Sequence, residues 1–292
     1  MVDLNVFLLT LIWGIAIGCI YVLLATGLNL VFGVMKLVNF AHGELLVIGA
    51  YTCYSITSRF GLNPYLSVFI SMILIVPVGI AVERLCFRRV LRTNNKLNEI
   101  FVSLGLIYVF DNIVVLLWGD KAKRIISPFE YFSISFGGLS IGYDWLIAIL
   151  IVVFILCGLW VLITKTKMGM AMRATSQDGE AATLMGINID KIYMFSFGLG
   201  SALAAASGAL YGIMFPFNPY VGALPTIKAF AIIMLGGLGS VPGAVIGGLL
   251  YGIAEQTAII ALGGIWRDAI AFIMLAIVLI IRPTGLFGER NE

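Results

Sequence analysis

The sequence predicts an all-α polytopic membrane protein of about eight or nine crossings, two of its segments broken by glycine. Three observations carry that prediction. Hydrophobic residues fill 61% of the 292 positions and charged residues only 11%, where soluble domains run at about 45–50% and about 25%. Mean hydropathy is +1.07, which leaves too little polar surface to cover a water-facing body of this size. Apolar runs of spanning length recur along the chain, and no stretch between them is long enough to fold alone. The longest polar interval, Thr164 to Lys191, holds 28 residues, below the roughly 40 that an unsupported domain requires. A single transmembrane domain over residues 1–292 is expected, with any large soluble machinery on other chains.

A crossing takes about 20 apolar residues to span about 30 Å of hydrocarbon. Val6–Phe32, Pro64–Val82, Ile100–Trp118, Trp145–Ile163 and Ile192–Phe215 meet that requirement, and Trp266–Ile281 is slightly short but nearly uncharged. The amino-terminal MVDLNVFLLTLIWG lacks a basic leader region, and its apolar run continues past residue 25. It therefore reads as a spanning helix and not as a cleaved signal. Two further regions, Phe40–Ser58 and Ala229–Ile260, are apolar but interrupted, the second by GGLGSVPG.

Lysine and arginine set the expected orientation, because cytoplasmic loops hold an excess of them. Arg84, Arg88, Arg89, Arg92 and Lys96 share one connection; Lys165, Lys167, Arg173 and Lys191 share the interval after Thr164; Arg282 and Arg290 lie in the tail. With Lys36, placing these inside gives about twelve cations inside against six outside. The segments Asp120–Asp144 and Phe215–Thr226 then face outward, and the carboxyl terminus is cytoplasmic. The side of the amino terminus depends on whether the interrupted segments cross or dip and return.

Irregular backbone at membrane depth is tolerated only where protein or a water-filled cavity satisfies it. Paired interruptions near the two ends of a chain point to a transport path and to an internal duplication. Asn39, His42 and Glu44 in the first break, with Gly236, Gly237 and Gly239 in the second, are the candidate pathway residues. Each has a plainer reading. His42 and Glu44 can form a hydrogen-bonded pair that stabilises the break beside Asn39, and the glycines can serve packing, Gly243 and Gly247 forming a G-x-x-x-G face. Asp111 reads as a polar contact between helices, and Glu255 beside Gln256 as a residue near the membrane interface.

The interval 164–191 contains RATSQDGEAATLMGINIDK. Thr175 and Asp178 have capping-box spacing, Asp178 and Glu180 suit a helix amino terminus, and Gly186 offers a stop. Ala181, Leu184 and Met185 then fall on one apolar face. A short helix of this kind lies on the membrane, packs on its own protein or docks into a partner; spacing alone leaves the three open.

The run Glu180-Ala181-Ala182, with Gly186 four residues on, resembles the coupling-loop motif of bacterial ABC importer permeases. GLNLVFGVMKLVNFAHGELLVIGAY and KAFAIIMLGGLGSVPGAVIGGLLYG resemble the amino- and carboxyl-terminal signatures of branched-chain amino acid permeases of the LivH type. The three motifs occur in the family's order and span nearly the whole chain. After Gly186 the chain runs Ile192-Tyr193-Met194-Phe195-Ser196-Phe197-Gly198 without the proline of maltose-type permeases, and is similar there to the branch that includes ribose-type permeases. The resemblance implies the ribose/branched-chain-type ABC importer permease fold in a bacterial cytoplasmic membrane. It implies that Glu180, Ala181, Ala182, Leu184, Met185 and Gly186 contact ATPase subunits, and that the partners are those ATPases, a second related permease and an extracytoplasmic substrate-binding protein. The implied cargo is a branched-chain amino acid or a similar small polar solute, urea and short amides included.

Other functions find little footing. There is no G-x-x-x-x-G-K-[ST] phosphate loop, so ATP hydrolysis falls to other chains. One histidine in the whole sequence and the scattered cysteines Cys19, Cys53, Cys86 and Cys157 form no ligand or disulfide pattern. No enzymatic activity, cofactor, metal or nucleic-acid partner is expected. The competing reading is a stand-alone secondary transporter or channel, which calls for charged relay residues in several spans and no docking helix.

Overall fold

Apolar runs become helices because only a helix satisfies every backbone N–H and C=O inside lipid. The computed structural model describes residues 4–93, 95–136, 139–281 and 285–287. Helix α1 (Leu4–Met35) is 32 residues long, more than one crossing needs. The chain then breaks and resumes as α2 (His42–Phe60). Asn63 opens α3 (Pro64–Val82): its side chain accepts from the Tyr65 N–H, and Pro64 occupies the first turn, where its missing donor costs nothing. Helix α3 runs through a π turn (Glu83–Phe87) into α4 (Arg88–Leu91), followed by α5 (Lys96–Trp118). A small antiparallel hairpin, β1 (Ser133–Phe136) and β2 (Leu139–Gly142), sets Ser133 opposite Gly142 and leads into α6 (Tyr143–Lys165). The remainder is α7 (Lys167–Gln177), α8 (Gly179–Leu184), α9 (Ile189–Met214), α10 (Ala223–Gly236), α11 (Val241–Leu262), a 3₁₀ turn (Gly264–Arg267) and α12 (Ala269–Ile281).

Among the described residues six helices are long and apolar enough to cross a membrane: Val6–Met35, Pro64–Leu91, Leu97–Trp118, Tyr143–Lys165, Ile189–Met214 and Val241–Leu262. The two interruptions differ from a simple broken helix. Helix α2 is continuous, and its irregular backbone precedes it, over residues 36–41. The second break falls between α10 and α11, and α10 is only 14 residues long.

Packing follows a paired scheme. Helix α1 runs along α11 as α9 runs along α3, α1 and α9 meet in the centre, and α2 leans on α9 as α10 leans on α1. This is the contact pattern of two repeats, α1–α2–α3 and α9–α10–α11. Helix α9 allows it because its buried stretch is small-residue-rich, Ala202 to Ala206 followed by Ser207. Ser207 Oγ donates to the Ile20 carbonyl of α1 at 2.8 Å. Close approach is sharpest between α10 and α11, where a Cβ on Gly236 would collide with the Gly243 carbonyl, and one on Gly243 with that of Gly236.

The expected inner residues gather at one end. Lys36, Arg88, Arg92 and Asp190 line one cavity with Met35. At the opposite end the two outward segments join: Lys123 and Phe217 exchange backbone hydrogen bonds at 2.8 and 2.9 Å. Tyr65 Oη donates to Asp144 there at 2.6 Å. Arg282 and Arg290 lie outside the described residues. One member of the outer count needs correction: Lys228 belongs to no loop and is buried within α10, 4% exposed.

Candidate functional site

The end that holds Lys36, Arg88 and Arg92 carries α8. Asp178 sits in extended conformation (φ −152°) and its Oδ1 accepts from the N–H groups of Glu180 (2.9 Å) and Ala181 (3.0 Å). Asp178 is therefore the cap itself. The expected Thr175–Asp178 capping box does not form, because Thr175 lies one turn inside α7, buried, and donates to the Ala171 carbonyl at 2.8 Å. Gly186 (φ +85°) ends the helix. Its N–H reaches the Thr183 carbonyl while that of Ile187 reaches Ala182, the paired closure of a left-handed glycine stop. Ala182 faces inward, whereas Leu184 and Met185 are 88% and 83% exposed. Glu180 and Ala181 are exposed beside them.

The start of α9, just after α8, is tied to the bundle. Asn188 caps α9 through the Lys191 N–H, and Asp190 stands 3.7 Å from both Arg88 and Arg92. Arg88 in turn holds the fully buried Glu83 with two nitrogens, at 2.7 and 3.1 Å. Side chains five apart meet here because the π turn widens the helix by one residue.

The first break brings its three candidates to one place but does not pair them as expected. Asn39 Oδ1 accepts from the Ala41 N–H at 3.0 Å and so supports the start of α2. His42 faces α1, its Nε2 3.1 Å from where a Cβ on Gly27 would stand. Glu44 faces Gly222 ahead of α10, and its carboxyl lies close to the carboxyl of Asp111 on α5. A pair two positions apart on a helix diverges, so the direct His42–Glu44 hydrogen bond is replaced by separate contacts. Asp111 is the expected contact between helices. The first turn of α2 fits against that of α10, where Thr226 Oγ1 and the Gly222 carbonyl leave no room for a Cβ on Gly43.

At the second break Gly237 and Gly239 adopt φ of +105° and +85°, a region that other residues enter at a cost. Asn29 of α1 clamps the turn: Oδ1 accepts from the Gly239 N–H and Nδ2 donates to the Ser240 carbonyl, both at 2.7 Å. Gly236 is packed against Gly243, and Gly247 also faces α10, against the Ile232 carbonyl.

Sequence reasoning missed the densest charge cluster. Lys228 Nζ of α10 lies 2.6 Å from Glu255 Oε1 of α11, 3.2 Å from Asp268 and 3.2 Å from the Tyr21 hydroxyl of α1. Glu255, read as interfacial, is fully buried. The available signal was an ionisable residue inside each of two apolar runs. Their pairing stayed hidden because the Gly break must first fold α10 back onto α11.

Comparison with known proteins agrees with this architecture. The family model described as "Branched-chain amino acid transport system / permease component" matches residues 10–279. The high-affinity branched-chain amino acid transport system permease protein BraD of Pseudomonas aeruginosa is 34% identical, over 97% of this chain and 96% of its own. The corresponding permease protein LivH of Escherichia coli K12 is also 34% identical, with the same coverage of both chains. Among solved structures, PsaBC from Streptococcus pneumoniae in complex with Fab shares the fold with a TM-score of 0.51 at 12% identity, covering 95% of this chain and 92% of that one.

Proposed function

The chain belongs to the permease-component family of branched-chain amino acid transport systems, and from that premise we propose how it works with its partners. It is a multi-pass protein of the inner membrane that serves as the permease of an ABC transport system. In our reading α8 docks into a cytoplasmic ATPase subunit. Leu184 and Met185 fill an apolar groove, and Glu180 makes a polar contact across the interface. The observation that carries this reading is a six-residue helix capped at both ends with large apolar side chains, Leu184 and the adjoining Met185, left uncovered by the rest of the chain. An isolated helix of that length does not persist in water, and exposed leucine and methionine at a fixed point mark a binding surface.

Closure of the ATPases on ATP would pull α8, and the Asp190–Arg88–Glu83 chain offers a stiff route from α8 to the end of α3. The permease then acts as a bistable element, nucleotide at one site biasing access at another. Asn39, His42, Glu44, Gly236, Gly237 and Gly239 flank the moving breaks, and we assign them to the translocation path or its gate. A second related permease completes the path, and an extracytoplasmic binding protein delivers leucine, isoleucine or valine to its outer mouth.

Uptake of radiolabelled leucine by cells expressing the whole system tests the coupling. Glu180→Ala and Gly186→Pro are expected to abolish uptake while membrane abundance stays at the wild-type level. Full uptake by both variants would remove the coupling role from α8.

A further inference from the structure

A cavity of about 270 Å³ opens at the outer end of the bundle, between α1, α6, the segment after α9, α11 and the 3₁₀ turn. It lies apart from the two breaks and from α8. Trp13, Trp145 and Phe215 form its aromatic walls, Ile17 adds an aliphatic surface, and Gln256 and Arg267 supply the polar atoms. Trp13 and Trp145 stack with ring centres 5.7 Å apart, and Trp145 meets Phe215 edge-on. The walls therefore brace one another.

Both polar groups are incompletely used. Gln256 is 7% exposed, yet its amide has no hydrogen-bond partner among the described residues. The amide lines the cavity and is open to a ligand there. Arg267 lies over the Phe215 ring at 5.6 Å. Its nearest counter-charge is Glu255 Oε1, at 3.4 Å from Nε. That oxygen is already held by Lys228 at 2.6 Å, and Lys228 also takes Asp268. Two cations, Lys228 and Arg267, thus face two carboxylates, Glu255 and Asp268, and Arg267 lines the cavity with terminal nitrogens that have no partner among the described residues.

We propose that this cavity is an outer binding site for a small aliphatic carboxylate, with Arg267 receiving the carboxylate, Gln256 a second polar group and the aromatic walls the aliphatic body. The assignment rests on the amino-acid cargo proposed above and gives that cargo a contact on the permease itself. Recognition of a planar carboxylate by guanidinium is directional and bidentate, and the mixture of aromatic walls with few polar atoms is that of a small-molecule site. The volume lies just below the range of about 300–1,000 Å³ usual for drug-sized ligands, which suits a single amino acid.

Saturation-transfer NMR on the purified complex of permeases and ATPases, without the extracytoplasmic binding protein, tests the site with three probes: L-leucine, 4-methylpentanoate, which lacks the amine, and leucinol, which lacks the carboxylate. Wild type is expected to saturate the methyl protons of leucine and 4-methylpentanoate, and those of leucinol about tenfold less. Arg267→Gln should reduce the first two to the leucinol level. Gln256→Leu, which leaves every charge in place, should weaken leucine severalfold. Equal signals from wild type and Arg267→Gln, leucinol binding as well as 4-methylpentanoate, or no signal in wild type would each overturn the site. Leucine uptake measured in parallel separates the two readings. A wild type that moves leucine while Arg267→Gln binds the probes unchanged overturns the site alone. A wild type that moves no leucine but binds 4-methylpentanoate through Arg267 overturns the cargo and keeps the site.

Discussion

Helices α2 and α10 occupy equivalent places in the two repeats, yet they handle charge in opposite ways. Helix α2 begins with His42 and Glu44, and the Glu44 carboxyl lies beside a second carboxyl, Asp111, with no ion pair to a basic side chain among the described residues. Helix α10 carries Lys228, which is held by Glu255 and Asp268 and by the Tyr21 hydroxyl. The breaks differ likewise. Asn39 supports the first from within its own turn, whereas Asn29 reaches across from α1 to hold the second. The second half is thus pinned by long-range polar contacts, and the first is seated mostly by shape. A buried ion pair is costly to half-remove, while an acid pair with no counter-charge to lose is less sensitive. This asymmetry makes α10 the anchored partner and α2 the one freer to respond.

The largest effect is expected at the anchor. Lys228→Met leaves Glu255 buried without its closest cation and should cost about 3–5 kcal/mol in denaturant unfolding of the purified protein. Adding Glu255→Gln to it should restore most of the loss. A single variant as stable as wild type would break the comparison at its strong end. Asn29→Ala comes next, with an expected loss of about 1–3 kcal/mol from two deprived backbone groups. Hydrogen exchange should rise in the peptide spanning Gly237–Ser240 and stay unchanged in α2. Equal exchange in both would mean that Asn29 does not hold the turn. The smallest effect belongs to Glu44→Gln, which keeps the shape of the side chain beside Asp111 and should shift stability by under about 1 kcal/mol. A loss matching that of Lys228→Met would make the two halves alike.

The same contrast explains what the sequence revealed. Helix α8 was legible because its signals are local: an acidic cap, a glycine stop and apolar spacing all fall within nine residues, Asp178 to Gly186. Even there Thr175 misled, since a threonine three residues before a cap can equally sit within the last turn of the preceding helix, as it does in α7. The breaks were legible as glycine runs, but their closure was not, because Asn29 stands 210 residues from Gly239. Lys228 was misplaced among outward charges for a related reason. It opens an apolar run in the sequence, and only the return of α11 along α10 turns that position inward to Glu255. Glu44 was recognised as a pathway candidate, while its neighbours Asp111 and Gly222 depended on how α5 and α10 lie against α2.

The central claim is that α8 joins this permease to an ATPase, and co-purification tests it most directly. The tagged chain, expressed with the other subunits of its system, is captured from detergent-solubilised membranes and probed for bound ATPase. The account predicts that the ATPase accompanies wild type and Asn29→Ala but is lost with Glu180→Ala and with Leu184→Asp. Retention of the ATPase by both α8 variants at wild-type amounts would contradict it.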